Sequence, residues 1–171
     1  MTRELRILCG APGSGKSTWA KEEARRLDAD CWSTAIISRD KIRFRLLDEN
    51  PTDDYFAYEK QVFKEFVDEI NECLYLGIDY IFADATHISY NSRAKLLRQL
   101  KIDPDITIRF DVFDLPLEVV LYRNSLREGR ECVPVNAVKS MVAAFKAPTF
   151  LEAEDCGLGN GVCIVKHGKE E

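Results

Sequence analysis

The residues Gly10-Ala11-Pro12-Gly13-Ser14-Gly15-Lys16-Ser17 fit the pattern G-x-x-x-x-G-K-[ST]. Such a loop cradles a polyphosphate, provided that a strand leads into it and a helix leads out. Both conditions are met here, by the apolar run Leu5 to Cys9 before the loop and an amphipathic segment after it. Successive backbone N–H groups then point into one concavity, and the positive end of the following helix faces the same way. Gly10, Gly13 and Gly15 let the main chain approach the anion. Lys16 can reach the β and γ phosphates, the Ser17 hydroxyl can complete a Mg²⁺ shell, and Thr18 follows at the helix start. The chemistry is that of a nucleoside-triphosphate user, with ATP or GTP and Mg²⁺ as the expected donor and ion.

Three further constellations could decide what is done with the triphosphate. Asp40 stands just after a second short apolar run, with Arg43 one helical turn further on. A carboxylate there could take the proton of an attacking hydroxyl, and the arginine could grip an anionic group on the acceptor. The same pair fits equally well a helix-terminus carboxylate with its surface partner. Asp84, in Phe82-Ala83-Asp84-Ala85-Thr86-His87, has apolar residues before it and a loop after it, the place for an acid that orients Mg²⁺ water or an arginine. His87 reads as a loop hydrogen-bonder. In Tyr122-Arg123-Asn124-Ser125-Leu126-Arg127, the two arginines four apart on one expected helical face could both close over the triphosphate.

The elements that must position these groups alternate along the chain. Strands are expected at Leu5 to Cys9, Ala35 to Ile37, Tyr80 to Ala83, Ile106 to Phe113 and Val162 to Val165. Helices are expected from Lys16 to Leu27 with Trp19, Ala20 and Ala24 facing inward, then from Ser38, the N-cap, to Leu47. A long helix is expected over Tyr55 to Leu76, and another over Tyr90 to Leu100. Pro116 and Pro134 open two more, ending near Leu126 and Phe145. A turn holds Gly157, Gly159 and Gly161. Alternating βα units with the phosphate loop after the first strand predict a parallel sheet covered on both faces, with the ligand at the carboxyl ends of the strands.

Composition bounds the rest. A chain of 171 residues at 46% hydrophobic composition supports one well-buried core and not two. Met1 to Arg6 is polar and no run is long enough to cross a bilayer, so no leader and no membrane partner are expected. The six cysteines form no C-x-x-C pair and there are only two histidines, which argues against a zinc site and for reduced thiols in a cytoplasmic setting. A net charge of −5 tells against indiscriminate binding to long nucleic acid and leaves room for a partner that inserts one end. Oligomeric state is open, a homo-oligomer included.

The order Gly-x-Pro-Gly-Ser-Gly-Lys-Ser-Thr-Trp-Ala at 10–20, Ser-Arg-Asp-x-x-Arg at 38–43, Asp84, Phe-Asp-Leu-Pro at 113–116, Arg-Asn-Ser-x-Arg at 123–127 and Val-Pro at 133–134 resembles the kinase domain of phage-type polynucleotide 5′-hydroxyl kinases. The resemblance runs from about Leu5 to Phe145. It implies an α/β phosphate-loop kinase fold, with a parallel sheet of about five strands and a helical lid over 116–147, as a single domain over 1–171. It further implies donor binding by residues 10–18, Arg123 and Arg127, and metal binding by Ser17 and Asp84. Asp40 would be the general base, helped by Lys16 and Arg127. Arg39, Asp40, Arg43, Asp84 and Thr86 would face the acceptor, the 5′-hydroxyl end of DNA or RNA.

The chain departs from the family in two places. No Asp-x-Asp followed by Gly-Thr opens a phosphatase domain, so 3′-dephosphorylation is not expected. The segment Ala85-Thr86-His87 is one residue longer than the family's shorter form. Two other readings stay open, a kinase of a small-molecule hydroxyl (nucleoside, sugar or antibiotic) and a binding module that hydrolyses ATP slowly.

Overall fold

The computed structural model of the chain describes residues 3–156 and 161–168. Its centre is a five-stranded sheet in the order β2-β3-β1-β4-β5. The strands are β1 (Arg3–Gly10), β2 (Thr34–Ser38), β3 (Tyr80–Asp84), β4 (Ile106–Phe113) and β5 (Val162–His167), and every adjacent pair is parallel. Parallel neighbours require crossovers, which are supplied by α1 (Lys16–Ala29), α2 (Arg39–Glu49), α3 (Glu59–Tyr75), α4 (Tyr90–Leu97), α5 (Leu117–Ser125), α6 (Val135–Ala144) and α7 (Leu151–Asp155). The expected α/β class and sheet of five strands are what is found.

Alternation along β1 divides the core. Leu5, Ile7 and Cys9 point to one face, where Val62, Phe66 and Ile70 of α3 and Leu96 and Leu97 of α4 cover them. Leu8 points to the other, joining Phe82, Phe113 and the α1 residues Ala20, Ala24 and Leu27. The long α3 carries its apolar residues at helical spacing and buries five of them. Burial pushes the Cys9 thiol up to about 12, so it serves as a small apolar core residue.

Four details differ from the expectation. The helix expected from Tyr55 begins at Glu59, because 55–58 forms a turn in which the Asp54 carboxylate accepts from the Phe56 N–H. The helix expected to reach Leu100 ends at Leu97 and gives way to turns. The expected helix to Leu126 stops at Ser125, so Arg123 and Arg127 do not share a helical face. The short α7 was not foreseen; its Glu152 makes a buried two-pronged ion pair with Arg93 of α4, at 2.7 Å on each prong. Gly157 and Gly159 of the expected turn lie outside the described residues. No helix among the described residues is long and apolar enough to cross a membrane.

Candidate active site

The phosphate loop runs from the end of β1 into α1, and its shape is fixed by close packing as much as by its glycines. Gly13 has φ +85°, and a Cβ there would lie 2.7 Å from the Val120 carbonyl of α5. Only glycine meets both conditions. A Cβ on Gly15, also at positive φ, would sit 3.3 Å from Nη1 of Arg123, so that arginine lies against the loop. Ala11 packs with Val120, Val133 and Val138, which joins α5 and α6 to the loop as one small cluster. Asn124 fastens these two helices together: its Nδ2 donates to the Val133 carbonyl at 2.8 Å, and its Oδ1 accepts the Val133 N–H at 3.1 Å.

Lys16 is buried, and its Nζ donates to the Ala11 carbonyl at 3.3 Å. Burial lowers its pKa, opposed by the negative charges of Asp84 and Asp40. Asp84 ends β3 and is also buried. Desolvation raises its pKa, against the pull of Lys16 and a hydrogen bond from Ser17. The Ser17 hydroxyl and the Asp84 carboxylate are therefore neighbours on hard oxygen atoms, and a divalent cation between them and a polyphosphate would relieve the charge burial disfavours. Among the described residues no group of three or more His, Cys, Asp or Glu could hold a metal. One hydroxyl and one carboxylate oxygen, those of Ser17 and Asp84, suit Mg²⁺, which binds through one or two protein oxygens, substrate phosphates and water. The Ser14 hydroxyl is buried in the loop without a partner and is free to bond an anion.

The loop between β3 and α4 is pinned to the end of β1. The Gly10 N–H donates to the Thr86 carbonyl at 2.8 Å. His87, buried at φ +42°, has its Nδ1 at 2.8 Å from the Leu8 carbonyl, so the neutral ring donates there. Burial drives its pKa down to about 3. His87 is thus the loop hydrogen-bonder that the sequence implies. Arg93 holds the same loop from below through the His87 carbonyl, at 2.8 Å.

Two cavities divide the loop between them. The larger, about 1080 Å³, opens beside Gly13, Ser14, Gly15 and Thr18 and is walled by Trp19, Phe113, Pro116, Arg123, Arg127 and His167. His167 stacks on Phe113 at 4.6 Å and 13°, and its Nε2 is anchored 2.6 Å from Oδ1 of buried Asp111. Trp19 lies 4.4 Å from the same histidine ring. Sequence reasoning gave Trp19 an inward role only and stopped the last strand before His167. The chamber that these rings help to wall therefore has no counterpart in the sequence expectations.

The smaller cavity, about 150 Å³, is lined by Lys16, Ser17, Arg39, Asp40, Arg43, Tyr55, Phe56, Glu59, Asp84, Thr86 and Arg127. Every expected acceptor residue is here, beside the donor-side lysine and serine. Ser38 caps α2 as expected, its hydroxyl accepting from the Lys41 N–H, which sets Asp40 in the first turn. Arg43 is buried and donates from Nη1 to Asp40 Oδ1, and from Nε to Glu59 Oε1 at 2.7 Å. Desolvation opposes its charge, but Glu59 and Asp40 outweigh that and raise its pKa. Arg39 reaches Glu59 Oε2 at 2.8 Å. Glu59 was not singled out in the sequence, where it reads as one acid in the first turn of a long helix. Arg127 borders both cavities and donates to the Glu131 carbonyl at 3.3 Å. Arg130 pairs with Asp48 on the exposed surface, outside both cavities.

A sequence profile described as AAA domain matches residues 5–148. No curated protein matches the chain. Among solved structures, the fold is similar to a sugar kinase from Janibacter sp. HTCC2649, with 21% identity, TM-score 0.57, and 97% of this chain and 86% of that one covered. It is similar to a gluconokinase from Sinorhizobium meliloti 1021, with 16% identity, TM-score 0.55 and coverage of 98% and 85%. It is also similar to Chaetomium thermophilum Kti12, solved with ADP-AlF3, with 17% identity, TM-score 0.67 and coverage of 98% and 91%. At such identities the likeness establishes the phosphate-loop fold.

Proposed function

The chain belongs to the AAA domain family, and from that premise we propose that it is a phosphotransferase moving the γ phosphate of ATP or GTP to a hydroxyl of a small molecule. The observation that carries this reading is the 150 Å³ cavity, whose lining brings Asp40 together with Lys16, Ser17 and Asp84. A hydrolytic switch has no use for a carboxylate on an acceptor wall, and a cavity of that size suits a compact molecule. The sugar kinase and gluconokinase among the similar structures point the same way.

In the proposed reaction the donor's base lies in the larger cleft against Trp19 and Phe113, and its phosphates follow the loop. Arg43 engages Oδ1 of Asp40, which leaves Oδ2 to an acceptor hydroxyl. Asp40 takes the hydroxyl proton as the acceptor oxygen attacks the γ phosphorus in line. The bond to the bridging oxygen breaks, and a nucleoside diphosphate leaves. Lys16, the loop amides and Arg127 neutralise charge on the transferring group. Mg²⁺, held by Ser17 and Asp84, would screen the β and γ oxygens.

A second reading keeps the polynucleotide 5′-hydroxyl end as acceptor. Its support is the Arg39-Asp40-x-x-Arg43 grouping, gathered as that family's motif requires. Labelled γ phosphate from ATP with Mg²⁺ separates the readings, given a panel of monosaccharides, sugar acids, nucleosides and a 5′-hydroxyl oligonucleotide. Label on a small molecule, abolished by Asp40→Asn, supports the first reading. Label on the oligonucleotide alone overturns the acceptor class, and hydrolysis alone overturns transfer.

A further inference from the structure

Glu59 links the charged side chains that α2 and α3 bring to the smaller cavity. Its two carboxylate oxygens are divided between the two arginines of the acceptor wall, Oε1 to Arg43 and Oε2 to Arg39. Asp40 holds Arg43 from the other side. In this α2–α3 cluster two cations thus face two carboxylates and cancel, while the other charged residues of the cavity, Lys16, Arg127 and Asp84, lie toward the phosphate loop and its donor. A phosphorylated acceptor that reached these guanidinium groups would lie against the two carboxylates already paired with them, Asp40 and Glu59, each repelling it.

The remaining features of the wall suit a neutral molecule rich in hydroxyls. Tyr55 and Phe56 sit edge to face at 4.7 Å and 76°, over the Arg43 guanidinium at 5.1 and 5.7 Å. Such rings offer a surface for the C–H face of a compact ring. Carboxylates accept from hydroxyls, and the Arg39 Nε–H is a buried donor without a protein partner. From this arrangement we infer that the acceptor is an uncharged polyhydroxylated molecule, and that Glu59 is the residue that rejects its phosphorylated counterparts. The inference rests on the phosphotransferase reading of this pocket.

The test fills the phosphate loop first, with a non-hydrolysable ATP analogue and Mg²⁺, and then titrates inorganic phosphate calorimetrically into the whole protein. Wild type takes up phosphate only weakly, and Glu59→Gln binds it about 10- to 100-fold tighter, the effect of removing one near charge and freeing two arginines. Glu65→Gln makes the same charge change at the exposed ion pair with Arg45 and leaves phosphate binding unchanged. In transfer, wild type prefers glucose to glucose 6-phosphate, and Glu59→Gln narrows that preference at least about tenfold. Phosphate binding equal in wild type and Glu59→Gln overturns the inference. So does submillimolar phosphate binding by the wild-type complex, which decides the matter even if the variant does not fold. Absence of transfer to every hydroxyl acceptor sinks the phosphotransferase reading instead, while the phosphate titration still decides the charge of the pocket.

Discussion

The two cavities that meet at Arg127 are built in different ways. The donor cleft is framed by main chain and by rings: the loop at Gly13 and Gly15, then Trp19, Phe113 and His167. The acceptor cavity is framed by ionised side chains locked to one another, Arg39, Asp40, Arg43 and Glu59. Backbone dipoles bind any polyphosphate, whatever its acceptor, whereas a paired set of charges is selective for the charge of what enters. One chamber is general and roomy and the other narrow and particular, so substitutions should divide cleanly between donor and acceptor parameters.

The strongest break is expected from Asp40→Asn. Turnover falls about 10²- to 10⁴-fold while nucleotide affinity, measured by calorimetry, stays within about twofold. An equal loss of nucleotide affinity would mean that the chambers are not separable. Arg127→Ala touches the residue they share and should lower kcat about 10²- to 10³-fold, with smaller changes in both KM values. A rise in one KM alone would assign Arg127 to that chamber. Trp19→Ala should weaken nucleotide binding about 10- to 100-fold by removing the aromatic wall, and should leave the acceptor KM unchanged.

The smallest effect concerns the loop that joins the chambers. His87 stays neutral in the folded chain down to about 3, whereas the unfolded chain protonates it near 6.5. The unfolded state therefore binds more protons between those values, so stability is complete above 6.5 and falls as pH drops, by up to about 1.4 kcal/mol per unit. Urea denaturation at pH 7, 6 and 5 should show this slope, and His87→Asn, which keeps a donor toward Leu8, should flatten it. A slope unchanged in that variant would place the titrating group elsewhere.

The same contrast governs how much could be read from the chain. The phosphate loop was legible because its function is local, with glycines and a lysine at fixed spacing between a strand and a helix. Asp40 and Asp84 were legible as the first acidic residues after apolar runs, at the strand ends where a parallel sheet gathers its ligands. Glu59 was not, because its meaning comes from Arg39 and Arg43 on the preceding helix, and in the sequence it is one acid among many. Trp19 and His167 come from opposite ends of the chain, and no spacing rule joins them. The Arg93–Glu152 pair escaped for the same reason, since a buried ion pair between distant helices has no periodic signature. Arg127 lines both cavities, but not from the helical face expected of it, since the helix ends at Ser125 before it.

The strand order gives the acceptor wall a different kind of freedom. β1, which feeds the phosphate loop, has strands on both sides, whereas β2, which feeds Arg39 and Asp40, lies at the edge and pairs with β3 alone. A change in β2 disturbs one strand pairing, and a change in β1 disturbs two. A substitution along that margin of the sheet therefore unsettles fewer strand pairings than one beneath the phosphate loop.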